Sequence, residues 1–273
     1  MDLPAAQPLR TVGDHLRAWR KHRRLSQLAF ALDAEISQKH LSFIESGRAV
    51  PSRQMVLRLA DCLNVPLKDR NHMMLAAGYA PVYPEHALDD PVMDAARRAV
   101  DLVLKGHEPF PAIAVDRHWT LVAANAAVPP LLSLVRDRML LKPPVNVMRL
   151  SLAPGGLAPA IINLSEWRTH LLARLRQQID ITADIRLEAL RRELVTYPSP
   201  ESAAPCLPDA NARSVVVPLM LQTPVGVLSF ISTTTVFGTP VDITLSELAL
   251  EAFYPADDST RELVRELMLP GRA

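Results

Sequence analysis

The chain is poor in the residues on which several classes of protein depend. Its two cysteines, Cys62 and Cys206, are far apart and have no CxxC spacing, which argues against a disulfide framework and a zinc site. Its eight histidines are scattered without the spacing of metal ligands. The first ten residues, MDLPAAQPLR, lack the apolar core of a signal peptide. We therefore expect a cytoplasmic protein with no metal and no cofactor.

Enzyme signatures are also missing. His107 and Glu108 begin like the HExxH motif of zinc proteases, but Pro111 occupies the position of the second histidine. There is no G-x-S-x-G motif, no Walker loop and no dinucleotide-binding glycine pattern. Catalysis would require a site assembled entirely from distant residues, so the sequence predicts no enzyme and no catalytic residue.

One uncharged segment, residues 214–241, is long enough to cross a bilayer if it were helical. Pro218, Pro224 and Gly226 would interrupt such a helix, whereas the valine, isoleucine, threonine and phenylalanine content favours strands. The segment therefore predicts a β-hairpin buried on at least one face, and we expect no membrane association.

The chain does have apolar residues in quantity and an uneven distribution of charge. A length of 273 residues and a hydrophobic content of 49% favour two domains, each with its own core. Residues 1–80 contain 12 Lys+Arg and 7 Asp+Glu, a net charge of +5. Residues 81–273 contain the remaining 18 Lys+Arg and 22 Asp+Glu, a net charge of −4. A basic first part is typical of a domain that faces nucleic acid. A proline-rich connector places the domains at 9–78 and 92–273, with a linker at 79–91.

Residues 25–53 predict two short helices joined by a tight turn. Ser26 and Ser37 are suited to cap the two helices, and Gly47 is suited to end the second. Packing of the two apolar faces leaves one outward surface, which is formed by Gln38, Lys39, Ser42 and Phe43. Amides and amines on such a surface can bond base edges in a major groove. One amphipathic helix before this pair and two after it complete an all-α domain of five helices.

The second part of the chain predicts strands at both ends with helices between them. A helix near 91–105 precedes a hairpin at 111–124, residues 144–197 are mainly helical, and a second hairpin at 215–237 precedes a last strand and a closing helix. This order favours one antiparallel sheet with helices laid across it, and hence an α+β chain overall. Its apolar residues would form either a plain core or a ligand pocket.

Alternation along the predicted strands gives the candidate pocket residues, which are Ile113, Val115, Leu121, Val217, Leu219, Leu228 and Phe230. Arg117, His118 or Arg168 would meet a carboxylate head group, or would instead be solvated or capping residues.

The spacing of Gln27, Ala31 and Ser37, followed by Leu41, Ile44, Glu45 and Gly47, resembles the XRE family of phage-repressor-like regulators across residues 12–77. The phrases HLSFIESGRAVPSR, AAGYAPVYPE, EPFPAIAVDRHWTLVAANAA and FISTTTVFGTPVDITLSELALEAFYPADD resemble the MmyB-like subgroup of that family. This resemblance implies a lambda-repressor-like helix-turn-helix domain coupled to a PAS-like domain that binds fatty acids or similar small apolar molecules. It also implies a homodimer on a double-stranded DNA operator.

The resemblance assigns roles by position. Gln27 would touch phosphate and support the recognition helix, and Arg48 and Arg53 would contact the DNA backbone. The groove-facing residues would be Ser37, Gln38, Lys39, Ser42 and Phe43. Phe43 would meet a thymine methyl group or pack under a neighbouring loop. Glu35 stands where the family usually has glycine, so the geometry of the turn is left open.

Two other functions remain compatible with the sequence. In one, the second domain is only a dimerisation or partner-binding module. In the other, the second domain retains catalytic activity.

Overall fold

The structure, a computed structural model, describes residues 11–198, 216–238 and 242–268. The described residues divide into two compact units: residues 11–85 with Asp242 and Ile243 form the first, and residues 86–198, 216–238 and 244–268 form the second. Cys206 lies outside the described residues. Cys62 is a half-buried free thiol, and burial raises its pKa. No helix among the described residues is both long enough and apolar enough to span a membrane.

The first unit is built from helices, as predicted. They are Val12–His22 (α1), Gln27–Asp33 (α2), Gln38–Glu45 (α3), Arg53–Cys62 (α4) and Leu67–Ala76 (α5). A side-chain hydroxyl caps each of the first four helices, and Ser26 and Ser37 cap α2 and α3 by accepting from the amides of Ala29 and His40. The core contains the apolar residues expected from the spacing, among them Phe30, Ala31, Leu41 and Ile44.

The turn between α2 and α3 takes the geometry that glycine would take. Glu35 lies in the left-handed region with φ of 51°. The amide of Ile36 donates to the carbonyl of Ala31 at 2.9 Å, and the amide of Glu35 donates to the carbonyl of Leu32 at 3.0 Å. These two bonds define a Schellman helix end. The Glu35 side chain is exposed and pairs with Arg58 on α4. The replacement of glycine therefore preserves the turn at the cost of backbone strain.

A buried carboxylate fixes α3 against its neighbours. Glu45, at the end of α3, is only 2% exposed. Arg20 on α1 donates to both carboxylate oxygens of Glu45, from Nε at 2.6 Å and from Nη2 at 2.9 Å. The side-chain amide of Gln27 on α2 donates to the same carboxylate at 2.7 Å. Burial alone would raise the pKa of the Glu45 carboxyl, but the bonds from Arg20 and Gln27 and the arginine charges outweigh it and lower that pKa. One side chain thus joins α1, α2 and α3.

Gly13 allows this close approach of α1 and α3. A Cβ at Gly13 would lie 2.5 Å from the carbonyl oxygen of Ile44 and 2.8 Å from that of Glu45. Both are backbone atoms that cannot rotate away. Only glycine therefore fits at this crossing.

The second unit combines a sheet with helices, in agreement with the predicted α+β fold. Its strands are Ala112–Val115 (β1), Leu121–Ala124 (β2), Leu219–Thr223 (β3), Gly226–Val236 (β4) and Ala249–Pro255 (β5). Its helices are Asp94–Gly106 (α6), Val128–Leu132 (α7), Val147–Leu152 (α8), Leu164–Thr182 (α9) and Ile185–Thr196 (α10), then the short Ile243–Ser246 (α11) and the closing Asp258–Leu267 (α12). Single 3₁₀ turns occur at Pro91–Met93, Arg138–Leu141 and Ala158–Ala160.

The five described strands form one antiparallel sheet in the order β2-β1-β5-β4-β3, so β5 is central. The described part of the uncharged segment, residues 216–238, contains the predicted hairpin, with Leu219 opposite Phe230 and Thr223 opposite Gly226. β2 begins at Leu121 rather than at Trp119, because Trp119 has a left-handed backbone with φ of 64°. α9 and α10 pack with apolar residues of one sheet face, and α6 packs against the other face.

The backbone strain at Glu35 predicts the effect of restoring glycine. We expect Glu35→Gly to raise the free energy of unfolding of the first unit by about 1 kcal/mol, because glycine adopts φ near 51° without a steric penalty. The lost pair with Arg58 is exposed and contributes less than about 1 kcal/mol. Hydrogen exchange of the α2 and α3 amides in the full chain reports this unit separately from the second. Glu35→Ala is the control, because it removes the carboxylate without relieving the backbone strain at residue 35. Equal protection of the amides in both variants would contradict strain at this residue.

The buried Glu45 predicts a specific dependence on pH. Its folded pKa lies below the unfolded value of about 4.3. The stability that it contributes is therefore complete above that value, and it disappears as the pH falls through the folded pKa. Glu45→Gln should lower the free energy of unfolding near neutral pH by about 3 kcal/mol or more, because Arg20 loses its charged partner. It should also reduce the acid dependence of stability in that window.

Denaturant unfolding over a pH series measures both effects. The exposed Glu35→Gln change in the same unit is the matched control. An acid profile of Glu45→Gln identical to that of the unmodified chain would exclude the proposed contribution of Glu45.

Candidate functional site

The first candidate site is the outward face of α3. Gln38 and Lys39, in the first turn, are exposed, and Ser42 and Phe43, one turn later, are half-buried. This is the surface that the helical spacing predicted. Ser37 immediately precedes it, with its hydroxyl engaged in capping. The only acidic residue of α3 is Glu45, which points inward and is neutralised by Arg20. The outward face therefore presents donors and acceptors without negative charge.

Phe43 lies between two cations on this face. The Lys39 ammonium is 5.7 Å from the Phe43 ring centre, and the Arg48 guanidinium is 5.9 Å from it. Both distances are within the range of cation–π attraction. Arg48 itself is exposed just beyond α3, and Arg53 is exposed at the start of α4. The Phe43 ring thus contacts two positively charged side chains on this surface.

Gln27 supports α3 directly. Its half-buried amide donates to Glu45, so the supporting contact expected from the resemblance is present between α2 and α3. Two residues of this arrangement were missed by the spacing argument. Arg20 pairs with Glu45, and Arg17 donates to the Glu45 backbone carbonyl. The signal available in the sequence was the single acidic residue of α3 together with the arginines of α1.

The second candidate site is an apolar cavity of about 120 Å³ in the second unit. It lies between one face of the sheet and the helices α7, α8 and α9. Four of the predicted apolar residues line it, namely Ile113, Leu121, Leu219 and Phe230. Two tryptophans, Trp119 and Trp167, also line the cavity. Its walls are almost entirely apolar, as expected for a site that takes a small hydrophobic ligand.

Three predicted apolar residues lie outside the cavity. Val115 and Leu228 are at most 1% exposed and fill the core, and Val217 packs against that core from its edge. All three therefore belong to the apolar core of the second unit and not to the cavity lining.

The three predicted head-group residues also lie outside the cavity lining, because each has partners elsewhere. Arg117 donates to Asp184 at 2.6 Å and to Glu247 at 2.5 Å, and His118 lies 2.9 Å from the same Asp184 oxygen. Arg168 donates to the carbonyl of Val195 at 2.7 Å, near the end of α10. These contacts connect distant segments of the second unit. The structure therefore places none of these three side chains in the cavity lining, and the contacts that it shows for them are structural.

A different pair of charged residues faces the cavity. Arg174 on α9 and Glu251 on β5 both line it, and Arg174 Nη2 lies 2.7 Å from Glu251 Oε1. The sequence contains signals for both. Arg174 follows Trp167 and Leu171 at the i+7 and i+3 positions of one helical stripe, and Glu251 is the only acidic residue of β5.

Two family models match the chain, one over each of the two units. The MmyB-like transcription regulator ligand binding domain matches residues 96–267, which is more than half of the chain. A helix-turn-helix domain matches residues 11–73 and includes α1 to α4 and the start of α5. A search of curated proteins finds no match. The chain therefore belongs to the MmyB-like transcription regulators and combines a helix-turn-helix domain with a ligand binding domain.

Proposed function

We propose that this regulator binds a specific double-stranded DNA operator as a homodimer and that a fatty acid or similar lipid in the cavity changes its DNA binding. We place this activity in the cytoplasm. The observation that supports the proposal most directly is the outward face of α3, which has exposed Gln38 and Lys39 and no accessible carboxylate.

Gln38 and Lys39 are the residues that we assign to base recognition. A glutamine amide can bond adenine through both its donor and its acceptor, and a lysine can donate to guanine. Their place in the first turn of α3 agrees with docking of a recognition helix by its N-terminal residues. Ser42 and Phe43 extend the same face by one turn, where Phe43 can contact a thymine methyl group. Arg48 and Arg53 lie beyond it and would contact phosphates.

A homodimer would give two such helices a fixed separation. Half-sites on a roughly palindromic operator would then lie about 34 Å apart, one turn of the duplex. A ligand would alter operator affinity only if it bound the DNA-competent and incompetent arrangements with different affinities. The antiparallel sheet with helices across one face supports the PAS-like character of the ligand-binding unit.

Replacing Gln38 and Lys39 by alanine tests the assignment to base recognition. We expect the double variant to bind a selected operator more weakly, with a loss of about 1–3 kcal/mol for each good base contact. It should also discriminate less between that operator and its single-base variants. The operator is first enriched from random duplexes, and affinities are compared at one salt concentration. Alanine at Lys105 and Gln177, exposed on helices of the second unit, is the matched control. Unchanged discrimination would exclude this face from the major groove.

Replacing Arg48 by alanine tests the phosphate contact. We expect weaker binding to all sequences and a salt dependence that is shallower by about 0.9 in the slope of log K against log salt. Arg48→Lys keeps the charge and should preserve the slope. The same measurement on Arg192→Ala, which removes an exposed arginine of α10, is the control. An unaltered slope in Arg48→Ala would remove this residue from the DNA contact.

A further inference from the structure

The helices α1 to α5 of the first unit all end with the same turn, in which one residue adopts a left-handed backbone. These residues are Arg24, Glu35, Gly47, Asn64 and Gly78, with φ between 47° and 82°. After each helix, the amide of this residue and the amide of the next one donate to carbonyls of the last turn, which is the Schellman pattern. Glycine adopts this backbone freely and asparagine adopts it often, whereas arginine and glutamate are costly there.

The two costly positions differ in what their side chains do. Glu35 pairs with Arg58 of α4. Arg24 is exposed, and its side chain has no hydrogen bond or ion pair with any described residue. The turn itself is well formed, since the amide of Arg24 donates to the carbonyl of Lys21 at 2.9 Å. The contacts within the described part of the first unit therefore give no reason for an arginine at this position.

The neighbouring arginines are bound within the protein. Arg17 donates to the backbone carbonyl of Glu45, and Arg20 donates to its carboxylate. Arg23 donates from Nε to a backbone carbonyl that follows α4, at 2.9 Å. Of the described arginines in α1 and the turn after it, Arg24 is thus the one whose guanidinium is available to an anion from outside the protein.

The turn that contains Arg24 lies beside α3. Arg20 donates from Nη1 to the carbonyl of Leu25 at 3.0 Å, and its other nitrogens donate to Glu45 at the end of α3. Gln27 donates to the same carboxylate at 2.7 Å. Three residues of chain span at most about 11 Å, so Arg24 is close to Gln27, which the family resemblance assigns to a phosphate contact. A cation at this turn can therefore reach the phosphate backbone beside that contact.

We propose that Arg24 binds a phosphate of the DNA backbone beside Gln27 and that its strained backbone is retained for this contact at the expense of stability. The hydrogen bonds of the turn fix the start of the Arg24 side chain, so less conformational freedom is lost on binding. The contact carries no sequence preference, because phosphates are the same at every base pair. This inference rests on the proposed DNA binding of the first unit and adds a residue to it.

Replacing Arg24 by glycine tests both parts of the inference, because its two expected effects have opposite signs. Hydrogen exchange of the α1 and α2 amides should slow about fivefold, since glycine adopts φ of 57° without strain. The full-length variant should nevertheless bind the selected operator and a random-sequence duplex more weakly. The slope of log K against log salt should be shallower by about 0.9 for both. The ratio of unmodified to variant affinity should therefore fall about threefold between about 50 and 200 mM salt.

Three variants are controls. Arg24→Lys keeps the charge in the same turn and should preserve the slope. Asn64→Gly alters the equivalent turn after α4 without a change of charge, and it should leave DNA binding unchanged. Lys68→Ala removes an equal charge that is already paired with Glu85, so it should also preserve the slope.

The possible outcomes separate this inference from the proposed function. A slope in Arg24→Gly equal to that of the unmodified chain would overturn the phosphate contact and leave the proposed function intact. An equal loss of slope in Lys68→Ala would also overturn it, because net charge alone would then explain the effect. Unchanged hydrogen exchange in Arg24→Gly would contradict the strain at this residue. If the unmodified chain bound neither duplex, the proposed function itself would be wrong.

Discussion

The bonds from Arg20 and Gln27 to Glu45 are the constraint on which the DNA-binding unit depends. They join α3 to α1 and α2 through one carboxylate, so the position of the recognition helix is set by charge as well as by apolar packing. A buried carboxylate without these donors would be expensive, because burial penalises its charged form. The same arrangement removes the only negative charge of α3 from its outward face. Positioning of the helix and its electrostatic suitability for DNA therefore have a single cause.

The ligand-binding unit uses a related interaction for a different purpose. Glu251 is buried on the central strand and bound by Arg174, but this pair borders a cavity, whereas Glu45 is enclosed by helices. A paired charge inside a protein contributes little net stability compared with apolar residues of similar size. The pair supplies the only charged lining residues of an otherwise apolar cavity, and the two charges neutralise each other.

Local signals in the sequence were sufficient for most of the secondary structure. Serine caps at Ser26 and Ser37 and the apolar spacing of the helices placed α2 and α3, and strand composition placed the hairpin of β3 and β4. The cavity was only partly predictable. Alternation identifies the face of a strand, but it does not say which residues on that face, Phe230 or Leu228, border open space. The partners of the predicted head-group residues could not be predicted because they are remote in sequence: Arg117 donates to residues 67 and 130 positions away.

The cavity itself has an energetic consequence for regulation. An apolar ligand that enters this cavity of about 120 Å³ removes apolar surface of both partners from water, which favours binding. It can shift an equilibrium between two arrangements of the protein only by the difference between its affinities for them. Couplings between regulatory sites are typically about 1–3 kcal/mol. A coupling of this size requires the affinities of the ligand for the two arrangements to differ by about 5- to 150-fold.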